Sequence, residues 1–192
     1  MLAGLILAGG LSSRMGRDKA QLRSCHSGLS LLEECEALLP QVGVEHSLIS
    51  SHRHPDGLRD IIPQCGPISG IHAALDAINK HYHEVSELIV LPVDMPNLNA
   101  KGLTKLIRRG REVKQACCYQ RCYLPLYLPV TDATHTYVRQ LMQTVQNRGN
   151  YSLKHMLLTL DGIQIKADDE QLLLNINQPQ EWLDFDNQRK IK

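Results

Sequence analysis

A glycine- and hydroxyl-rich segment near the start of the chain carries the residue types that bind phosphate. It reads LAGGLSSRMGRDK and extends from Leu7 to Lys19. Paired glycines allow a sharp turn and a close backbone approach to another group, because neither has a Cβ. The candidate phosphate-binding residues in it are Gly9, Gly10, Ser12, Ser13, Arg14 and Lys19. Since the apolar run Leu2 to Leu7 predicts a buried strand, we expect a phosphate-binding loop at that strand's end.

Two named nucleotide-binding motifs do not match this segment. A P-loop has Lys and then Ser or Thr directly after its closing glycine, whereas Gly16 is followed by Arg17. The dinucleotide pattern G-x-G-x-x-G fails as well, because Gly9 and Gly10 are adjacent. An ordinary strand-to-loop turn is the better interpretation of that glycine pair alone. The whole string of glycines, hydroxyls and cations favours phosphate binding.

A second candidate is Asp94, which follows the apolar run Leu88 to Leu91. A lone Asp at this place is commonly a turn or cap residue, but Pro92 and Pro96 restrict the backbone on either side of it. Two further strings contain turn and cap residues. GPISG, Gly66 to Gly70, predicts a turn that enters a helix, with Pro67 near its first position and Ser69 able to cap it. NINQPQE, from Asn175, predicts a strand end followed by a helix cap.

The elements that would position these residues alternate between strands and helices. This order predicts an α/β fold, a three-layer α/β/α sandwich with a Rossmann-like, mainly parallel sheet. Ser30 and Glu33 predict a capping box at the start of a helix. Other predicted elements are a short edge strand at Ile61–Ile62, two strands or a hairpin within Gln115–Pro129, and a strand at Leu172–Asn175. The glycine loop, Asp94 and the Asn175 segment each follow a strand, so we expect them to meet at one edge of the sheet.

Composition narrows the class of protein. With 192 residues we expect one domain, residues 1–192. The formal net charge of +1 gives no support to broad nucleic-acid binding. The apolar start, Met1 to Leu11, lacks a basic region and is too short to span a membrane, so it predicts a strand rather than a signal peptide. We therefore expect a reduced, cytoplasmic location without disulfides.

The cysteine-rich string around Cys117, Cys118 and Cys122 could indicate zinc. A structural zinc site needs a second pair of ligands at regular spacing, and His135 and His155 stand alone. We predict buried or hairpin cysteines that bind no structural metal.

The string from Leu7 to Lys19 resembles the signature L-A-G-G-x-S-x-R-M-G-x-D-K of sugar-nucleotide-type nucleotidyltransferases, and most closely that of the molybdenum cofactor guanylyltransferase family. The resemblance implies the nucleotide-diphospho-sugar transferase type of fold. It also implies transfer of GMP from GTP to the phosphate of molybdopterin, with Mg²⁺ as cofactor and pyrophosphate as the second product. Other molybdenum cofactor biosynthesis proteins and molybdoenzymes are the implied protein partners.

The same resemblance implies residue roles. The implied catalytic residues are Arg14, Lys19 and Asp94. The implied nucleotide-binding residues are Leu7, Ala8, Gly9, Gly10, Ser12, Ser13, Lys19, Gly66, Pro67, Gly70 and Asp94. Asp94 is the implied metal ligand, joined by Asn175 or Asn177, of which we favour Asn177. The strings at Leu7–Gly10 and Gly66–Gly70 favour guanine over cytosine.

The chain departs from the family pattern in several places. Ser50 or Ser51 replaces an Asn at the end of the second strand, and Gln178 replaces the Thr of N-x-N-T-P. Pro63 and Gln64 stand where the family usually has an Asp before G-P-L-A-G, and Tyr123-Leu124-Pro125 replaces its H-P segment. Two alternatives therefore accompany the main hypothesis. One is a sister cytidylyltransferase on the same scaffold. The other is a nucleotide-binding protein with weak or no turnover.

Overall fold

The computed structural model describes residues 1–9, 18–62, 65–143 and 151–190. Its strands are β1 (Leu2–Leu7), β2 (His46–Ser50), β3 (Glu87–Pro92), β4 (Cys117–Tyr119), β5 (Leu126–Pro129) and β6 (Ile163–Ile165). Its helices are α1 (Leu31–Leu38), α2 (Pro67–His81), α3 (Ala100–Val113), α4 (Asp132–Gln143), α5 (Leu153–Thr159) and α6 (Pro179–Lys190). None of the helices in these ranges has the length and apolar character needed to cross a membrane.

The strands form one sheet in the order β2-β1-β3-β5-β4-β6. β1 is parallel to both neighbours, and Leu7 at its end pairs with Ser50 on one side and Pro92 on the other. The carboxyl ends of these three strands therefore coincide at one edge. The segments that follow them must start side by side, as the sequence predicts.

β5 runs against this direction, because it pairs antiparallel with both β3 and β4. β4 and β6 are again parallel, so they also end at the edge where β1 ends. The predicted hairpin is confirmed as β4 and β5, and so is the mainly parallel sheet.

Helices cover both faces of the sheet. The alternation of β1 decides which side chain goes where, because successive residues of a strand point to opposite faces. Leu2 and Ile6 pack in a core with α1, α3 and α6, whereas Ala3 and Leu5 pack in a second core with α2, α4 and α5. This is the predicted three-layer α/β/α sandwich.

The predicted capping box is present at the start of α1. The Ser30 hydroxyl accepts from the Glu33 N–H at 3.2 Å, and the Glu33 carboxylate accepts from the Ser30 N–H at 2.6 Å. The predicted strand at Ile61–Ile62 is wrong, since these residues form a bend. Leu58 makes the edge contact instead, donating its N–H to the Ile49 carbonyl at 2.7 Å.

The predicted strand at Leu172–Asn175 is also wrong. Residues Glu170–Leu173 form a 3₁₀-helix, because the Asp169 carboxylate accepts from the Gln171 N–H at 2.9 Å and caps a helical turn. Leu172 is buried there against Gly102 of α3. A run of leucines resembles a buried strand in sequence, but here the capping Asp determines the local structure.

Candidate functional site

Three of the predicted site residues converge at the carboxyl edge of the sheet. The Lys19 ammonium donates to Asp94 Oδ2 at 3.1 Å and to Asn177 Oδ1 at 2.8 Å. The side chains of Lys19 and Asp94 are 16% and 21% exposed, so the ion pair is partly shielded from water. Shielding strengthens the attraction between the two charges relative to an exposed pair. The structure thus joins a cation, a carboxylate and an amide from three distant parts of the chain.

Asn175 closes these contacts into a ring. Its Nδ2 donates to Asp94 Oδ1 at 3.3 Å, and its Oδ1 accepts from Asn177 Nδ2 at 2.7 Å. An ammonium can only donate and an ionised carboxylate can only accept. These two charged groups therefore determine which way both amides face. We call Lys19, Asp94, Asn175 and Asn177 the site ring.

Backbone contacts hold the two asparagines over Asp94. Ile176 is buried, and its N–H donates to the Asp94 carbonyl at 2.9 Å. Because side chains alternate in extended backbone, Asn175 and Asn177 lie on the opposite, exposed side. The Glu181 carboxylate accepts from the Asn177 N–H at 2.7 Å and from the N–H of the next residue at 3.0 Å. That contact joins the segment to the first turn of α6.

Asp18 positions Lys19 from the other side. Its carboxylate accepts from the Ala20 N–H at 3.1 Å and so caps the short helix Lys19–Gln21. The Asp18 side chain thus caps this short helix, and the ammonium of Lys19 pairs with Asp94 rather than with Asp18. Arg53, which the sequence did not single out, lies 3.5 Å from the Asp18 carboxylate. It links the loop after β2 to the end of the glycine-rich segment.

The end of β1 forms a second part of the site. Leu7 is its half-buried last residue, Ala8 is buried, and Gly9 is exposed. The Ala8 N–H donates to the Ser50 carbonyl at 3.0 Å, which continues the pairing with β2. A Cβ on Gly70 would lie 2.7 Å from both Leu7 Cδ2 and Ser50 Oγ. Only glycine allows α2 to approach the ends of these strands so closely.

The amino end of α2 lies directly before this contact. Gly66 precedes the helix with φ 60°, a backbone angle that favours glycine, and Pro67 is the first helical residue. Among the described residues, no side chain caps this end. The predicted capping by Ser69 is wrong, because its hydroxyl accepts from the Cys65 N–H and donates to the Ile62 carbonyl. The positive end of the helix dipole is therefore available to an anion.

The structure leaves part of the predicted site undescribed. Gly10, Ser12, Ser13 and Arg14 lie outside the described residues. Their predicted roles stay predictions.

A cleft lies further along the same edge, beyond β4 and β6. It is lined by Gln120, Arg121, Cys122, Lys166, Ala167, Glu170 and Leu173. Arg121 is exposed and pairs with Glu170 at 3.2 Å. Two cations, Arg121 and Lys166, and one anion, Glu170, thus border one opening at this edge of the sheet.

The site ring contains oxygen ligands that suit a metal ion, whereas the cysteines are poor metal ligands. Asp94 Oδ2 and Asn177 Oδ1 already face one cation, the Lys19 ammonium, and oxygen ligands suit Mg²⁺. Burial raises the pKa of Cys117 to about 11 and that of Cys118 to about 12, so both thiols are neutral and poor ligands. Within the described ranges, no three His, Cys, Asp or Glu side chains are placed to hold a metal ion.

The fold and the position of the site define the class of protein. A mainly parallel sheet covered by helices on both faces, with polar groups at its carboxyl edge, is typical of nucleotide-binding α/β proteins. Residues 4–160 match the MobA-like NTP transferase domain, which is most of the chain. The chain belongs to the MobA-like NTP transferase family and is a nucleotidyltransferase.

Relatives and solved structures agree with this family. The chain is 32% identical over 182 residues to a molybdenum cofactor guanylyltransferase of Xanthomonas euvesicatoria pathovar vesicatoria, covering 93% of this chain and 91% of that protein. Molybdopterin-guanine dinucleotide biosynthesis protein A from Archaeoglobus fulgidus has a similar structure, with TM-score 0.72, 19% identity and full coverage of both chains. A 2-C-methyl-D-erythritol 4-phosphate cytidylyltransferase from Thermus thermophilus follows with TM-score 0.66 and 15% identity, covering 99% of this chain and 100% of that one. At these identities the two structures support the fold alone.

Proposed function

We propose that this nucleotidyltransferase transfers GMP from GTP to the terminal phosphate of molybdopterin. The products are molybdopterin guanine dinucleotide and pyrophosphate. The observation that carries the proposal is the convergence of Lys19, Asp94 and Asn177 at the carboxyl edge of the sheet. It is supported by the relative of 32% identity that is named a molybdenum cofactor guanylyltransferase.

The reaction needs positioning and charge neutralisation more than a protein nucleophile. A phosphate oxygen of the acceptor attacks the α-phosphorus of GTP in line. A new phosphorus–oxygen bond forms as the bond to the pyrophosphate oxygen breaks, and the bond electrons leave with pyrophosphate. Negative charge grows on the leaving group, so nearby cations lower the barrier. Holding both substrates in line supplies a further part of the acceleration.

GTP would lie between the end of β1 and the amino end of α2. The glycine-rich segment from Gly9 onwards supplies backbone N–H groups to the triphosphate, with Arg14 and the serines as further donors. The turn from Gly66 to Gly70 lines the base and ribose. The close approach of Gly70 to Leu7 supports this arrangement, because it brings the two parts together.

Asp94 and Asn177 would hold Mg²⁺ through the two oxygens that now face Lys19. Bound there, Mg²⁺ would supply positive charge to the phosphate oxygens and so favour attack on the α-phosphorus. A single carboxylate suffices, since Mg²⁺ takes its remaining ligands from phosphate and water. With these oxygens occupied, the Lys19 ammonium would contact the triphosphate instead and offset the charge of the leaving group.

Molybdopterin would enter through the cleft beyond β4 and β6. Arg121 and Lys166 border it, and the acceptor phosphate is an anion that such cations attract. The strand order supports this placement, because β3 with Asp94 lies between the GTP side of the sheet and the cleft. The same assignment implies a cytoplasmic enzyme that passes its product to molybdoenzymes.

A pyrophosphate-release assay tests the proposal. Purified protein is given GTP, CTP or ATP with Mg²⁺, with and without molybdopterin. We expect release with GTP only, and only when molybdopterin is present. Preference for CTP would instead support the sister cytidylyltransferase, whose fold this chain shares. GTP binding without release would support a nucleotide-binding protein without turnover.

A further inference from the structure

Asn175 connects the two residues that we assign to the metal ion. Its Nδ2 donates to Asp94 Oδ1 at 3.3 Å, and its Oδ1 accepts from Asn177 Nδ2 at 2.7 Å. The other oxygen of Asp94 and the amide oxygen of Asn177 both face Lys19. The two contacts of Asn175 therefore use the atoms that do not face the cation.

These contacts restrict side chains that would otherwise turn. The last torsion of Asp and Asn side chains has a broad, roughly two-fold preference, so covalent geometry does not fix their oxygens. If the Asn177 amide turned over, its NH₂ group would face the cation. Asn175 opposes this turn, because its Oδ1 needs the donor of Asn177 and its Nδ2 needs the carboxylate of Asp94.

We propose that Asn175 is a positioning residue for divalent-cation binding, which holds Asp94 Oδ2 and Asn177 Oδ1 toward one point. The inference rests on the proposed function, in which Asp94 and Asn177 hold Mg²⁺. Asn175 acts through these two residues, and its own side-chain polar atoms are used in the contacts with them.

The contacts that hold the Asn175 segment in place do not involve the Asn175 side chain. It is exposed, whereas the neighbouring Ile176 is buried and donates its N–H to the Asp94 carbonyl. The Glu181 carboxylate holds the backbone on the other side. Neither contact involves the Asn175 amide, so its removal should affect cation binding much more than folding.

Asn175→Leu tests the inference, because leucine has a similar size and no polar atoms. Mn²⁺ serves as the probe, since it accepts the oxygen ligands that suit Mg²⁺ and its unbound form is counted by electron paramagnetic resonance. We expect the dissociation constant for Mn²⁺ to rise about 10- to 100-fold, the usual effect of losing a group that orients metal ligands. Asn79→Leu, at an exposed Asn of α2, is the matched control and should bind Mn²⁺ like the wild type.

Two further measurements separate positioning from a general structural role. The thermal midpoint of Asn175→Leu should stay close to that of the wild type, and saturating Mn²⁺ should restore kcat. The losses from Asn175→Leu and Asn177→Ala should also be less than multiplicative in the double variant, because Asn175 acts partly through Asn177.

An Mn²⁺ affinity within twofold of the wild type in Asn175→Leu would overturn the inference. The inference would also be overturned if Asn175→Leu lowered the thermal midpoint and the number of binding-competent molecules but left the Mn²⁺ affinity unchanged. Multiplicative losses in the double variant would overturn it too. Wild-type protein that binds no Mn²⁺, with or without GTP, also contradicts it. If the wild type binds Mn²⁺ in the expected way but transfers no GMP, the proposed function fails and the positioning role stands.

Discussion

Replacing Asp94 by Asn changes the charge of the site ring while keeping the size and shape of the side chain. Four hydrogen bonds make up the ring, and each needs one donor and one acceptor. In the wild type, Lys19 provides two donors and Asp94 provides two acceptors. Asn175 and Asn177 each provide one donor and one acceptor. Every contact is matched.

Asp94→Asn leaves the ring with a mismatch that no rotation can remove. Lys19 then provides two donors, and each of the three amides provides one donor and one acceptor. The four contacts therefore have five donors but only three acceptors. Whichever way the amides face, at least one contact joins two donors. The ring is partly exposed, so water relieves some of the cost. We expect a loss near the lower end of the range for an unsatisfied group, about 1 kcal/mol.

In Asp94→Asn, the activation barrier should rise by more than the free energy of unfolding falls. A loss of about 1 kcal/mol lowers the thermal midpoint of a chain of this length by about 2–4 °C. Removing a group that stabilises charge in the transition state costs about 100- to 1,000-fold in rate. A 100-fold loss alone corresponds to about 2.7 kcal/mol of barrier. The two measurements therefore distinguish a role in metal binding from a role in shaping the turn between Pro92 and Pro96.

The assay is pyrophosphate release as a function of Mg²⁺ concentration, together with thermal unfolding. Asp76→Asn is the control, because Asp76 of α2 also pairs with a lysine, Lys80, at 2.6 Å and is not part of the proposed site. We expect the control to keep the turnover of the wild type. An unchanged half-saturating Mg²⁺ concentration and maximal rate in Asp94→Asn would refute the metal role.

Four further outcomes are expected. Lys19→Ala should lower turnover by at least about 100-fold with a native circular-dichroism spectrum, and a rate within a few-fold of wild type contradicts the phosphate role. Gly70→Ala should lower the free energy of unfolding by about 1–3 kcal/mol in urea, because its Cβ meets two side chains at 2.7 Å. Arg121→Ala should raise KM for molybdopterin about tenfold or more and leave KM for GTP unchanged, as expected for one charged hydrogen bond. Burial raises the pKa of Cys117 to about 11 and that of Cys118 to about 12. The stability that their neutral thiols contribute is therefore full below about pH 8 and falls as pH rises past about 9, where thiols of the unfolded chain ionise. Urea unfolding should show this fall, and a Cys117→Ala, Cys118→Ala double variant should show less of it.

The order and type of most elements could be predicted because local signals agree with the final packing. β1 matches its apolar run, and the Ser30–Glu33 capping box starts α1 as expected. The two errors have a common cause. Ile61–Ile62 and Leu172–Asn175 are short apolar runs, and such runs do not by themselves distinguish strands from turns that bury a side chain. In the second case the signal was present, since Asp169 stands where it can cap a helical turn.

The site was predicted in part. Lys19, Asp94 and Asn177 could be named because each is polar, follows a glycine-rich or apolar segment, and resembles a family motif. Asn175 was the weaker candidate beside Asn177, and the structure joins both in one ring. An observable signal existed: two asparagines on either side of an apolar residue lie on one side of an extended backbone.

The sequence does not predict which atoms of the site ring donate hydrogen bonds and which accept them. Lys19 and Asn177 are 158 positions apart. The pairing of β1 with β3 brings the segment after β1 beside Asp94, and the bond from the Ile176 N–H to the Asp94 carbonyl places Asn177 there. Once they meet, donor and acceptor matching leaves one arrangement of both amides, with two oxygens toward a single cation. That arrangement is a property of the closed ring rather than of any member. It explains why a residue type as common as Asn can have a specific role here, and why replacing the carboxylate by an amide of the same shape leaves at least one contact of the ring mismatched.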